Sequence, residues 1–162
     1  FRARDREAMG KMVKCCAELH VRHIEKGGDP FESGSARPLD FGHWSAHKLE
    51  MMSGGEIRHG EAVAIGLALD SFYAVEKGLL RKKDYDSLAS ALREIGFRLW
   101  SDLLLKKDRR GKLEIFSGIR EFREHLGGEL HVTLPNGLGR KIEVNEMDEE
   151  IIVKAIRFHE PE

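Results

Sequence analysis

The feature that most constrains this 162-residue chain is an uncharged run, Ala62-Val63-Ala64-Ile65-Gly66-Leu67-Ala68-Leu69. A helix that is apolar on every side has no face to give to water, so it must be buried on every side. The run therefore predicts a central helix, starting near His59, reaching Glu76 or Lys77 and ending at Gly78. Gly66 lowers helix propensity but lets a neighbour approach closely. Other elements must surround this helix, and the flanking sequence supplies them.

Upstream, Met9, Met12, Val13, Cys16, Leu19, His20, His23 and Ile24 recur at steps of three and four. That stripe predicts an amphipathic helix with His20 and His23 facing inward, stopped at Gly27-Gly28. Residues 29–40 read as a loop, since Pro38 biases Arg37 away from helix. A second helix is expected from Asp40 or Gly42 to Met52, closed by Ser53-Gly54-Gly55, with Met51 and Met52 in the core. Tyr85, Leu88, Ala89, Leu92 and Ile95 mark a further amphipathic helix before Gly96. Short helices are expected around Leu103 and from Phe116 to His125.

After Gly127-Gly128 the period changes to two. Leu130, Val132 and Leu134 alternate with His131 and Thr133, Pro135-Asn136-Gly137 makes a turn, and Ile142 and Val144 alternate again. This predicts a β-hairpin. Asn145 is then expected to cap a last helix, with Met147, Ile151, Ile152 and Ile156 facing inward. The fold class is mainly α with one small β-hairpin.

Charge and cysteine usage narrow the setting. The 27 Lys+Arg and 28 Asp+Glu leave a net charge of −1, which argues against a nucleic-acid or acidic-membrane binder. No apolar run approaches the ~20 residues needed to cross a bilayer. Cys15 and Cys16 are adjacent and too few for a disulfide framework, which points to a reducing, cytoplasmic setting. Phe1 to Glu7 reads as the interior of a helix with no capping residue before it, so more chain is expected upstream.

Chemistry concentrates in the histidines. His43 and His47 are four apart and share a helix face, ~5–6 Å apart at Cβ. His59 opens the next helix twelve residues later, and two antiparallel helices joined at Ser53-Gly54-Gly55 can bring all three together. Neutral imidazole is a common zinc ligand, and a catalytic zinc takes three protein ligands and an open position. Two polar histidines on a helix surface remain the plain alternative for His-x3-His alone. Glu50 and Glu61 can either orient ligand histidines or cap and solubilise their helices. Lys106 to Lys112 reads as a solvated loop, because no aromatic residues interleave with its charges.

The residues around these histidines carry a resemblance. Asp40-Phe41-Gly42-His43-Trp44-Ser45-Ala46-His47-Lys48-Leu49-Glu50 and His59-Gly60-Glu61-Ala62-Val63-Ala64-Ile65-Gly66 resemble the paired signatures of the dehydroquinate synthase family, Asn-Phe-Gly-His-Thr-x-Gly-His-Ala-x-Glu and His-Gly-Glu-Ala-Val-Ala-x-Gly. Order and gap match as well, and a loop with Asp29, Glu32 and Gly34 resembles one that precedes the first signature. The resemblance implies that residues 1–162 are part of the family's helical metal- and substrate-binding domain, with the N-terminal NAD-binding domain absent from this chain. It implies a sugar phosphate cyclase of the carbon–oxygen lyase type when complete. NAD would transiently oxidise a secondary alcohol, phosphate would be eliminated, and an aldol closure would make a carbocycle, as in aromatic amino acid biosynthesis.

By resemblance His43 and His59 are the metal ligands, for zinc or cobalt. His47 is the histidine that contacts substrate and moves protons, and Arg37 lies one residue from the family's substrate-contacting loop arginine. The third ligand, a glutamate, lies upstream of this chain, so the chain alone is expected to be inactive. The implied partner is a phosphorylated sugar, with neither nucleic acid nor membrane, and a homodimer stays open. Asp40 stands where the family has Asn, Trp44 where it has Thr and Ala46 where it has Gly. The family's Asp-Lys-Lys stretch falls on Phe122-Arg123-Glu124-His125, so His125 is a candidate replacement for a substrate lysine. These departures point to another phosphorylated sugar, with Asp40 as a substrate-selecting residue. Two rivals remain: a non-catalytic helical binding module, and a hydrolase whose metal is held by His43, His47 and His59 together.

Overall fold

The computed structural model describes residues 5–27, 39–125 and 128–161, without the side chains of 26, 27, 124 and 125. Arg37, the loop residues Asp29, Glu32 and Gly34, and the side chain of His125 lie outside the described residues. The chain divides into two units, one ending at Leu39 and one beginning at Asp40.

The first unit holds α1 (Arg6–Gly27). Of the stretch Phe1 to Glu7 expected inside a helix, residues 1–4 lie outside the described residues, and α1 begins only at Arg6. Asp5 Oδ1 accepts the N–H groups of Glu7 and Ala8, so Asp5 caps the helix. The apolar stripe is not buried as expected: Met9, Met12, Val13 and Leu19 are exposed, as is His20, while His23 is half-buried. Periodicity marks a face that is able to be buried, but a single helix has nothing in its own unit to bury it against. Cys15 and Cys16 are free and exposed.

The second unit contains α2 (His43–Met52), α3 (His59–Glu76), α4 (Lys82–Glu94), 3-10 turns at Asp102–Leu105 and Glu114–Phe116, α5 (Ser117–His125), β1 (Val132–Pro135), β2 (Lys141–Val144) and α6 (Glu149–His159). As the uncharged run predicts, α3 is the centre, packed by α2, α4, α6 and β1. Ala62, Ala64, Ile65, Gly66, Ala68 and Leu69 are buried, and Val63 and Leu67 half-buried. Burial of Ile65 and of Leu69 contributes roughly 1.5–3 kcal/mol each. The main core joins these to Trp44, Leu49, Leu104, Ile115, Ile152 and Ile156.

The strands pair antiparallel with Val132 opposite Val144 and Leu134 opposite Ile142. Their alternation is weaker than expected. Thr133 is buried with Val132 and Leu134, because β1 is covered on both faces, and Ile142 on the outer strand is exposed. The hairpin tip is tied inward by the Gly137 N–H, which donates to Leu79 O just after α3. Three further expectations fail. Asp148, not Asn145, caps α6, accepting the Glu150 N–H, while Asn145 donates to Leu130 O. Met51 and Ile95 are exposed: Met51 lies on the outer face of α2, and Ile95 has already left α4 as its C-cap. Among the described residues no helix is long and apolar enough to cross a membrane.

Candidate metal centre

The first turn of α2 is built on two glycines. Gly42, the N-cap, has φ +81°, a left-handed conformation that a side chain would strain. Its carbonyl lies against α3 at Gly66, where an added Cβ would fall 2.0 Å from Gly42 O. Gly66 therefore permits the close approach anticipated for it, and the neighbour is the entrance to α2. His43 follows at once, its N–H donating to Asp40 O. After α2, Ser53 Oγ donates to Glu50 O and accepts the N–H groups of Gly55 and Ile57. That knot turns the chain back and delivers His59 at the start of α3.

Folding brings the three histidines together. Ring centroids are 5.3 Å apart for His43 and His59, 5.4 Å for His43 and His47, and 6.1 Å for His47 and His59. The 5.3 Å spacing is well inside the ~8 Å beyond which two imidazoles cannot share an ion held ~2.0–2.1 Å from each. His43 Nδ1 lies 3.1 Å from Phe41 O, and His59 Nδ1 lies 2.9 Å from Glu50 Oε2. A carbonyl and a carboxylate only accept, so in each ring Nδ1 is the donor, and in the neutral imidazole the lone pair is then on Nε2. This is the arrangement that presents a neutral imidazole to a metal. Among the described residues, the group whose ligand atoms all lie within 4.8 Å of one another is His47, Glu50 and His59, which leaves His43 out. The donor set, imidazole with one carboxylate, suits zinc and similar ions.

The two glutamates left open by the sequence separate here. Glu50 binds His59, whereas Glu61 Oε2 accepts the Arg58 N–H and caps α3. The His59 side chain is 56% exposed and that of Glu50 31%, so the cluster lies open at the surface of its unit. Asp40 Oδ2 is buried and has no hydrogen-bond partner among the described residues.

Other residues were not anticipated. Asp70 is fully buried, and burial pushes its carboxyl up to about 7 even though donors from Trp44 and Gly42 oppose the shift. A signal existed: Asp70 is the first charge after the uncharged run and lies one turn from Gly66, on the same face. Phe122 meets His47 with centroids 6.4 Å apart. Lys48 is buried and donates to Glu121 Oε1 at 2.9 Å. Partial burial of Glu121 raises its carboxyl, but the bonds from Lys48 and Ser117 outweigh that and hold it below the usual range. In the basic loop, Asp108 Oδ1 accepts the N–H groups of Arg110 and Lys112, and the cations there are exposed.

The family model for the 3-dehydroquinate synthase C-terminal domain matches residues 1–114. A 3-dehydroquinate synthase from Campylobacter fetus subsp. fetus is 29% identical over 154 residues, which is 94% of this chain and 42% of that protein. The structure of a 2-epi-5-epi-valiolone synthase from Streptomyces hygroscopicus subsp. jinggangensis 5008, with NAD+ and Zn2+ bound, superposes with a TM-score of 0.77 at 21% identity, covering 92% of this chain and 39% of that one. A 2-deoxy-scyllo-inosose synthase complexed with carbaglucose-6-phosphate, NAD+ and Co2+ gives a TM-score of 0.58 at 24% identity, covering 80% and 37%. The two structures share the fold. The chain spans less than half the length of the relatives it matches.

Proposed function

Because the chain belongs to the 3-dehydroquinate synthase C-terminal family, we propose that it is the metal- and substrate-holding part of a sugar phosphate cyclase, working with an NAD-binding domain elsewhere in the protein. The observation that carries this reading is the convergence of His43 and His59, each with Nδ1 engaged by an acceptor. Those two rings would hold a divalent ion, with Glu50 fixing the orientation of His59. When bound, the ion polarises substrate oxygens and NAD takes up and returns a hydride.

The chain's own residues bind, orient and move protons. His47 stands beside the ligand pair, 5.4 Å from the His43 ring, where an imidazole can take a proton from a substrate hydroxyl or return one. Phe122 covers one side of it. Arg37, one residue from the family's substrate-contacting arginine, would supply that contact. Asp40 stands where the family has Asn, and its buried Oδ2 has no hydrogen-bond partner among the described residues. A carboxylate there accepts from a sugar hydroxyl and repels another carboxylate, so the substrate is a phosphorylated ketose rather than a sugar acid. Free, exposed Cys15 and Cys16 suit a reducing cytoplasm.

The test uses the full-length protein with NAD, a divalent metal and a panel of sugar phosphates, reading phosphate release. We expect release from a neutral ketose phosphate, a shift in relative kcat/KM towards sugar-acid phosphates in Asp40→Asn, and no release by the 162-residue chain alone. Release by that chain without NAD, or no release from any sugar phosphate by the full-length protein, contradicts the reading.

A further inference from the structure

Asp70 lies wholly buried in α3, where an ionisable carboxyl is retained against a desolvation cost. Its partners show what it holds. Oδ2 accepts the Gly42 N–H at 3.0 Å, and Oδ1 accepts the Trp44 indole N–H at 2.8 Å. These two residues flank His43. One oxygen therefore grips the backbone before the histidine, and the other grips the side chain after it. The same turn is pinned from a third direction, since the Gly42 carbonyl rests on Gly66 and accepts the Ala46 N–H. His43 itself is steadied by Phe41 O. With both neighbours tethered to one carboxyl group, the His43 Cα has little freedom to shift along or around α2.

We infer that Asp70 is a positioning residue for His43, anchoring the first turn of α2 through Gly42 and Trp44 so that the imidazole presents Nε2 at a fixed place. This rests on the reading of His43 as a metal ligand. Groups one step removed from a metal commonly tune its affinity by orienting the ligand. Asp70 does so through the backbone and a neighbouring indole rather than through the ligand's own ring.

The test is zinc affinity of the full-length protein, by competition with a chromophoric chelator, together with the absorption spectrum of the cobalt(II) form. Circular dichroism and melting report folding. Asp70→Asn keeps the size but turns an NH2 towards one of the two donors. It should bind zinc about 10–100-fold more weakly and shift the cobalt bands, with helix content unchanged. Trp44→Phe removes the indole N–H and keeps a ring, and should change both readouts in the same direction by less. A folded Asp70→Asn with wild-type zinc affinity and cobalt spectrum overturns the inference. If Asp70→Asn does not fold, Trp44→Phe decides by the same two readouts. His43→Ala separates the two levels of the argument. Unchanged zinc affinity there overturns the metal reading, whereas a loss there beside an unchanged Asp70→Asn overturns the positioning role alone.

Discussion

Asp70 and Asp40 are two carboxyls with opposite surroundings. Asp70 is wholly buried with two N–H donors, and burial pushes its carboxyl from the ordinary 3.8 up to about 7. Between pH 4 and 7 the folded chain keeps a proton that the unfolded chain gives up. Stability from this group is therefore full below about pH 4 and is lost as pH rises through 7, by about 4 kcal/mol in all. Asp70→Asn cannot titrate. Denaturant unfolding of the metal-free protein should show wild type losing that amount relative to Asp70→Asn between pH 4 and 8. A difference that stays flat across the window contradicts the raised carboxyl. His159 titrates nearby in the opposite sense, because burial lowers it despite the bond to Ala155 O, and comparing the two proteins cancels that background. Asp40 stands where the family has Asn, which is why substrate selection is assigned to it and anchoring to Asp70; its buried Oδ2 has no partner among the described residues.

At the scale of elements, the contact that matters is α2 crossing α3 at Gly42 and Gly66. A methyl on Gly66 would sit 2.0 Å from Gly42 O and 2.8 Å from Ser45 Oγ, so the helices would have to part. Gly66→Ala should lower stability by roughly 3 kcal/mol, against a gain from helix propensity of about 1 kcal/mol. Thermal unfolding reads this, and an unchanged or raised melting temperature would show that the crossing tolerates separation. The crossing also explains which features were legible. The uncharged run from Ala62 to Leu69 could only be a buried helix, and the motif spacing put His43, His47 and His59 at neighbouring helix starts. Gly66 announced a close neighbour without saying which. Asp70 escaped notice because its meaning depends on Trp44, which is distant in sequence. The α6 cap was misplaced because Asn145 and Asp148 are both good caps, and only the pull of Leu130 O on Asn145 decides between them. On β1, alternation could not reveal that both faces are covered.

At the scale of the whole molecule, the second unit is a scaffold that holds three histidines and a glutamate at one open edge of the α2–α3 pair. The stripe on α1 was legible as a face, but burial of a face is decided by its surroundings, which one helix does not contain. The fold and the gathering of the three histidines thus followed from this chain's residues, while NAD chemistry and substrate depend on the protein as a whole. The central claim is that His43 and His59 share one divalent ion. Anomalous diffraction at the zinc edge, from zinc-loaded crystals of the full-length protein, tests it most directly. The account predicts a peak ~2.0–2.1 Å from Nε2 of both His43 and His59. A peak elsewhere with these two rings unliganded, or no peak at all, would contradict it.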